Sequence, residues 1–325
     1  MDYTVTRESF ASLASYWADS KYQLRWEPLF VIPPWLEVWW QAFASASELY
    51  LGTVWQGNDI LGIAPLMLRG NTAAFIGSVD VCDYLDFIVA PGRETEFFTA
   101  LLADLKREGI AHLDLKSVHP DSVVINELIP LVRKWQYDAQ CTQEDVSLEV
   151  ELPPTWDEYL ALLVTKQRHE IKRKLRRLEE AGKVGYRSVE DRSSARDMMG
   201  TFLSLFTESR EEKADFLTAQ MESYFRSLTE VMADAGLLRL GILELDTLPV
   251  AMVMAFDYHD HVYLYNSGYN PRYRSLSVGL LSKVLCIKDS IERGRKKFDF
   301  LKGGEAYKYH IGGTEIPLYD CQIKL

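Results

Sequence analysis

The run Tyr263-Leu264-Tyr265-Asn266-Ser267-Gly268-Tyr269-Asn270-Pro271-Arg272-Tyr273-Arg274-Ser275-Leu276-Ser277-Val278-Gly279 carries the chain from a strand, through a polar loop broken by proline, to the start of a helix. Downstream, Gly279–Arg293 reads as that helix, closed by Gly294, and Lys297-Phe298-Asp299-Phe300-Leu301 reads as the next strand. Upstream, Leu238–Leu245 and Pro249–Phe256 form a strand pair, and His261–Ser267 makes a third strand. The order is three antiparallel strands, a helix and another strand.

The first half repeats it. Leu49–Val54 and Ile60–Leu68 read as strands around the turn Gln56-Gly57-Asn58-Asp59, and the helix Glu94–Arg107, closed by Gly109, leads into the strand His112–Lys116. Gly109 and Gly294 are 294 − 109 = 185 positions apart, and Asp114 and Asp299 keep that offset. Two mixed-sheet α/β units of one topology follow, residues 1–150 and 151–325, divided near Pro153-Pro154. Helical sequence fills Trp156–Ala181 and Ala195–Ser209. All eight tryptophans lie at or before Trp156, so the two copies have diverged.

Composition narrows the field. The 325 residues are 47% hydrophobic and 26% charged, a globular balance that excludes a disordered or disulfide-scaffold chain. With 36 basic and 47 acidic residues the net charge is −11, against a general DNA-binding role. Cys82, Cys141, Cys286 and Cys321 stand far apart and read as isolated buried thiols. The start, Met1-Asp2-Tyr3-Thr4, has no export signal and no stretch is long enough to span a membrane, so a soluble cytoplasmic protein is expected.

Three clusters carry candidate chemistry. Lys302-Gly303-Gly304-Glu305-Ala306-Tyr307-Lys308 crowds an acid, a phenol and amines after a buried strand. Glu305 has the chemistry of a base, Tyr307 that of an acid, and Lys302 and Lys308 that of anion contacts; a solvated surface turn accounts for the same residues. Asp80-Val81-Cys82-Asp83-Tyr84-Leu85-Asp86-Phe87, read as a strand, puts Asp83 and Leu85 on one side and Tyr84 and Asp86 on the other. That suits a cationic or hydroxylated acceptor, or a loop-capping role. Lys166–Leu178 carries seven bases and one acid over the apolar stripe Ile171, Leu175 and Leu178, the pattern of a polyanion contact or of a solvated helix face. His169-Glu170-Ile171-Lys172-Arg173 lacks the second histidine of a zinc motif, and His259-Asp260-His261 reads as a hairpin turn, so no metal is expected.

The β-β-β-α-β order resembles the middle of a GNAT acyltransferase unit, whose phosphate loop runs roughly Gln/Arg-x-x-Gly-x-Gly/Ala into the helix. Here Arg274, Ser277 and Gly279 stand at those positions, with serine for the first glycine; a polar loop with Ser277 as N-cap is the alternative. Nearly the whole chain resembles a GNAT-type family of acetyltransferases associated with cellulose biosynthesis (CelD/BcsL-like), distant relatives of the Fem peptidoglycan aminoacyltransferases. The resemblance rests on Pro33-Pro34-Trp35-Leu36-Glu37-Val38-Trp39-Trp40, Gly62-Ile63-Ala64-Pro65-Leu66, Gly77-Ser78, Asp83–Phe87, the basic helix, Tyr265–Tyr269, Ser277–Gly279, and Phe298–Gly303 with Tyr307-Lys308. The family often has proline where this chain has Val278.

The resemblance implies a tandem GNAT fold with the acyl-donor site in the second unit, acetyl-CoA or another acyl-CoA as co-substrate, and no metal. Asn266, Arg274, Ser277 and Gly279 would hold the donor. Glu305 or Asp86 would act as base and Tyr307 or Tyr265 as acid, while Asp83, Tyr84, Lys302 and Lys308 would contact a small-molecule or glycan-precursor acceptor. A Fem-like enzyme taking its group from aminoacyl-tRNA, and a non-catalytic ligand-binding GNAT pair, are the two alternatives.

Overall fold

The computed structural model describes residues 3–44, 46–78 and 80–325; Met1 and Asp2 of the N-terminal reading lie outside them. The chain forms two compact units, residues 1–146 with 316–325, and residues 147–315. Residues 316–325, which the sequence reading groups with the second unit, pack with the first.

The first unit contains β1 (Thr4–Arg7), α1 (Phe10–Ala18), α2 (Pro33–Phe43), β2 (Glu48–Gln56), β3 (Asp59–Arg69), β4 (Thr72–Phe75), β5 (Ile88–Val89), α3 (Glu94–Arg107), β6 (His112–Val118), α4 (Ile129–Lys134) and the first part of β7 (Asp138–Glu151). Its strand order is β1-β2-β3-β4-β6, continued by the C-terminal strand and β7, with β5 on β3. Helix α3 forms because Phe97, Phe98, Leu101, Leu102 and Leu105 recur at helical spacing and are all buried. It ends at Gly109, whose φ of 81° suits glycine.

The second unit begins within β7 and adds α5 (Trp156–Leu162), α6 (Thr165–Ala181), β8 (Val184–Val189), α7 (Arg192–Ser209), α8 (Glu211–Phe216), α9 (Ala219–Asp234), β9 (Leu238–Leu245), β10 (Leu248–Tyr258), β11 (His261–Tyr269), α10 (Val278–Glu292), β12 (Lys297–Lys302) and α11 (Ala306–His310). The last strand, β13 (Thr314–Lys324), leads back to the first unit. The second unit's strand order is β7-β12-β11-β10-β9-β8.

The expected duplication holds in detail. In each unit the strand after the main helix pairs in parallel with the third strand of the meander, β6 with β4 and β12 with β11. Gly294 closes α10 at φ 74° as Gly109 closes α3. The helical sequence over 156–181 forms two helices, α5 and α6, parted at Leu163 and Val164, whose ψ values of 142° and 144° are not helical.

The thiol reading is corrected. Cys141 and Cys321 form a disulfide, while Cys82 and Cys286 are free and buried. The pairing is invisible in sequence because 180 positions separate the partners, and only the return of β13 alongside β7 brings them together. Among the described residues, no helix is long and apolar enough to cross a membrane.

Candidate active site

Strands β11 and β12 pair over three residues only, His261 with Lys297, Val262 with Phe298 and Tyr263 with Asp299. Both strands bend where this ladder stops. On β11 the register to β10 jumps between Leu264 and Asn266, leaving Tyr265 as the extra residue of a bulge. On β12 the Asp299 carboxylate accepts from the Leu301 N–H at 2.7 Å and holds Leu301 at φ 60°. The strands therefore part, and the Ser267 carbonyl on the exposed edge accepts from Lys213 Nζ.

The helix that follows starts beside this gap. A short 3-10 turn, Pro271–Leu276, is opened by Asn270 Oδ1 accepting from the Arg272 N–H at 3.0 Å. Ser277 then takes a left-handed φ of 59° and stands at the N-cap position of α10, as in the N-cap alternative, but its side chain makes no capping hydrogen bond. The Leu280 and Leu281 N–H groups donate to the Ser277 carbonyl at 3.0 and 2.9 Å, while those of Val278 and Gly279 belong to the first turn, at the positive end of the helix, where a helix offers no internal acceptor. Gly279 is required here, since a Cβ would stand 2.7 Å from the Tyr269 ring. Leu178, Leu243, Leu245, Val250, Val278 and Leu281 form the core cluster that fixes α6 and α10 against β9 and β10.

These elements enclose a cavity of about 300 Å³ lined by Ser267 and Tyr269 of β11, by Arg274, by Ser277–Leu280 at the start of α10, and by Lys283, Glu305 and Tyr307. Lys174 of α6 and Ser209, Arg210 and Lys213 beside α7 complete it. Helix α7 is held directly on β11, because a Cβ on Gly268 would come within 2.3 Å of the Phe206 backbone nitrogen. The wall thus carries five basic side chains and one carboxylate.

Burial is graded across it. Arg210 and Arg274 are exposed, Lys174 and Lys213 are half-buried, and Lys283 is 8% exposed. Burial, with the charges of Lys213 and Arg210, pulls the Lys283 amine down to about 7 against an opposing pull from Glu305. Burial and Arg210 bring Lys213 down to about 8. Lys283 Nζ donates to the Gly279 carbonyl at 2.7 Å and lies 5.0 Å from the Tyr307 ring centroid. Burial, then the Glu305 charge, pushes the Tyr307 phenol well above its usual range. Burial would raise Glu305, but its contact with Lys308 at 2.9 Å outweighs this and the carboxyl falls below its ordinary value.

Of the residues expected from sequence, Arg274, Ser277, Gly279, Glu305 and Tyr307 come together on this wall. Asn266 lies in the β11 ladder opposite Met254, outside the lining. Tyr265 packs its ring against Phe225 and Phe256 at centroid distances of 6.1 and 5.4 Å. Lys302 is not on the wall either. Lys308 is 2% exposed and donates to the carbonyls of Leu301, Lys302 and Gly303 at 2.9, 2.6 and 2.8 Å, so its amine is consumed in holding the loop.

The segment 80–87 is irregular and not the strand expected from its pattern. Asp86 is buried in the first unit, where its carboxylate accepts from the N–H groups of Phe87 and Val123 at 2.9 Å each. Burial raises it to about 7 against those hydrogen bonds. Tyr84 packs against Phe30 and His119. Asp83 lies in the same loop, on the wall of none of the described cavities.

Arg210, Lys213 and Lys283 were missed by sequence reasoning, while Lys174 was read only as one of the seven bases of the Lys166–Leu178 helix. Lys283 had left a signal, a lone charge in the apolar run Val278–Ile287. The duplicate position in the first unit is built differently, since the first turn of α3 carries Glu94 and Glu96 and repels an anion. Among the described residues no cluster of His, Cys, Asp and Glu is arranged to hold a metal.

Two β-β-β-α-β units, the second with its third and fourth strands splayed ahead of a helix start, define a tandem GNAT fold. Residues 165–309 match the sequence model of the acetyltransferase (GNAT) domain. The fold is similar to the crystal structure of FemX, with a TM-score of 0.67 and 11% identity over 98% of this chain and 96% of that one. It is also similar to L-PGS from Bacillus licheniformis, with a TM-score of 0.55 and 10% identity over 89% and 90% of the two chains. A third similar structure is a tandem GNAT protein from the clavulanic acid biosynthesis pathway, solved without AcCoA, with a TM-score of 0.50 and 11% identity over 99% and 98%. At these identities the likeness is one of fold. Among curated proteins, no sequence matches the chain.

Proposed function

We propose that the second unit transfers an acyl group, acetyl in the simplest case, from acyl-CoA to an amine or hydroxyl of a sugar or cell-envelope precursor. The observation that carries this is the cavity at the start of α10, where β11 leaves β12 and five basic side chains converge. An extended pantetheine arm fits along the edge of β11 that β12 leaves beyond Tyr263. A pyrophosphate finds the first-turn backbone of α10 at Val278 and Gly279 together with Arg274 and Lys174. The residues present fit that donor, which supplies the activated thioester.

The chain's own groups then divide the proton work. Glu305, ionised and half-exposed, takes the proton of the incoming ammonium or hydroxyl. Tyr307, kept protonated by burial, gives a proton to the departing thiolate. A sugar acceptor is favoured by the resemblance to cellulose-associated acetyltransferases. Calorimetric titration of the full chain with CoA tests the donor, and absence of heat and of any thermal shift at millimolar CoA contradicts the reading. Lys174 belongs to the basic helix α6 and supports a Fem-type reading, in which aminoacyl-tRNA is the donor. A mobility shift with bulk tRNA, and none with CoA, decides for it.

A further inference from the structure

The cavity wall carries more basic groups than a CoA pyrophosphate at the helix start accounts for. The exposed guanidiniums of Arg210 and Arg274 stand at its mouth, together with half-buried Lys174, where the pyrophosphate sits in the proposed reaction. Lys283 lies deeper, beside the Tyr307 ring that marks the reacting end. Its amine has one hydrogen-bond acceptor, its own helix's Gly279 carbonyl, and no carboxylate among the described residues lies within ion-pair distance of it. Of the other two amines of the wall, Lys174 pairs with Glu170 at 3.5 Å and Lys213 is answered by the Ser267 carbonyl. The single wall carboxylate, Glu305, is already engaged by Lys308. A buried amine with no counter-ion is costly and is retained where a ligand supplies the missing charge.

We infer that one of the two reactants carries a carboxylate close to the reacting carbonyl, and that Lys283 is the side chain that selects it. The carboxylate comes from one of two sources, the acyl group of the donor or the acceptor molecule, and in both it sits against Lys283 Nζ in the floor of the cavity. This rests on the acyl-CoA reading of the site. It adds a substrate class: a dicarboxylic acyl group, or an amine acceptor of amino-acid type.

Stable thioether analogues separate these cases by calorimetry on the full chain. If the acyl group is the source, S-carboxymethyl-CoA binds about 10- to 100-fold more tightly than S-ethyl-CoA, the range of a charge-assisted hydrogen bond. The difference disappears in Lys283→Met and in Lys283→Gln, the second variant guarding against a folding defect in the first. If the acceptor is the source, the two thioethers bind equally, and glycine gives a heat with CoA-loaded protein that is absent from CoA-loaded Lys283→Gln. Equal thioether affinities with no glycine heat overturn the inference and leave the donor reading standing. Failure of S-ethyl-CoA itself to bind removes the donor reading, and the inference with it.

Discussion

Replacing Lys308 with methionine separates a structural lysine from a ligand contact. The wild-type amine answers three carbonyls, those of Leu301, Lys302 and Gly303, and the Glu305 carboxylate. Methionine keeps the buried stem but donates nothing. Each buried acceptor left without a donor costs about 1–3 kcal/mol. Leu301 is buried while Lys302 and Gly303 are half-buried, so water recovers part of the loss and a net of about 3 kcal/mol remains. For a unit of this size, 1 kcal/mol shifts the melting temperature by about 2–4 °C, so the second unit should melt about 6–12 °C lower.

Scanning calorimetry is the right assay, because tryptophan emission follows mostly the first unit; Trp156 is the last tryptophan in the chain. Arg272→Met, on an exposed turn nearby, should shift stability by no more than about 0.5 kcal/mol. A Lys308→Met protein that melts within about 2 °C of the parent, yet loses anion binding, refutes the structural assignment and returns Lys308 to the role its sequence suggested.

Four further outcomes follow. Gly268→Ala forces α7 off β11, because its Cβ would meet the Phe206 backbone at 2.3 Å, and should cost about 1–3 kcal/mol by chemical denaturation, while Gly200→Ala, in open space within α7, should cost nothing. If the acyl group carries the carboxylate, the preference for S-carboxymethyl-CoA over S-ethyl-CoA should be larger at pH 6.5 than at pH 8.5, since the carboxylate favours the protonated amine of Lys283, which stands at about 7 in the ligand-free protein; a flat calorimetric profile between those limits argues against that contact. The same depression means that from pH 7 upward the unfolded chain holds a proton on Lys283 that the folded chain has lost, so this group's contribution makes stability rise with pH, and Lys283→Met should raise the neutral-pH melting temperature of the ligand-free protein. Reducing Cys141–Cys321 should lower the stability of the first unit by about 2–5 kcal/mol, read as a shift of its own transition under reductant, and an unchanged transition would show that the bond carries no stability.

Features set by neighbours in sequence were the readable ones. Gly109 and Gly294 announce helix ends because each must take a positive φ, and the 185-residue offset they share with Asp114 and Asp299 exposes the duplication. The loop Arg274–Gly279 was legible through its resemblance to the GNAT phosphate loop, and of its residues Gly279 is the one that the close approach of Tyr269 requires. What escaped depends on the return of distant segments. Arg210 and Lys213 reach the cavity only because α7 lies on Gly268, and nothing local to 210–213 signals that. Lys308 reads as a solvated amine until three carbonyls of the preceding loop close around it. Asp86 has catalytic chemistry by type, but its oxygens are occupied by backbone N–H groups that no pattern reveals.

Hydrogen–deuterium exchange of the full chain with and without acetyl-CoA tests the central claim most directly. The account requires slower exchange in 264–283 and 300–307, where the β11 edge, the start of α10 and the Glu305 loop border one cavity. Unchanged exchange there, or protection confined to the first unit, contradicts it.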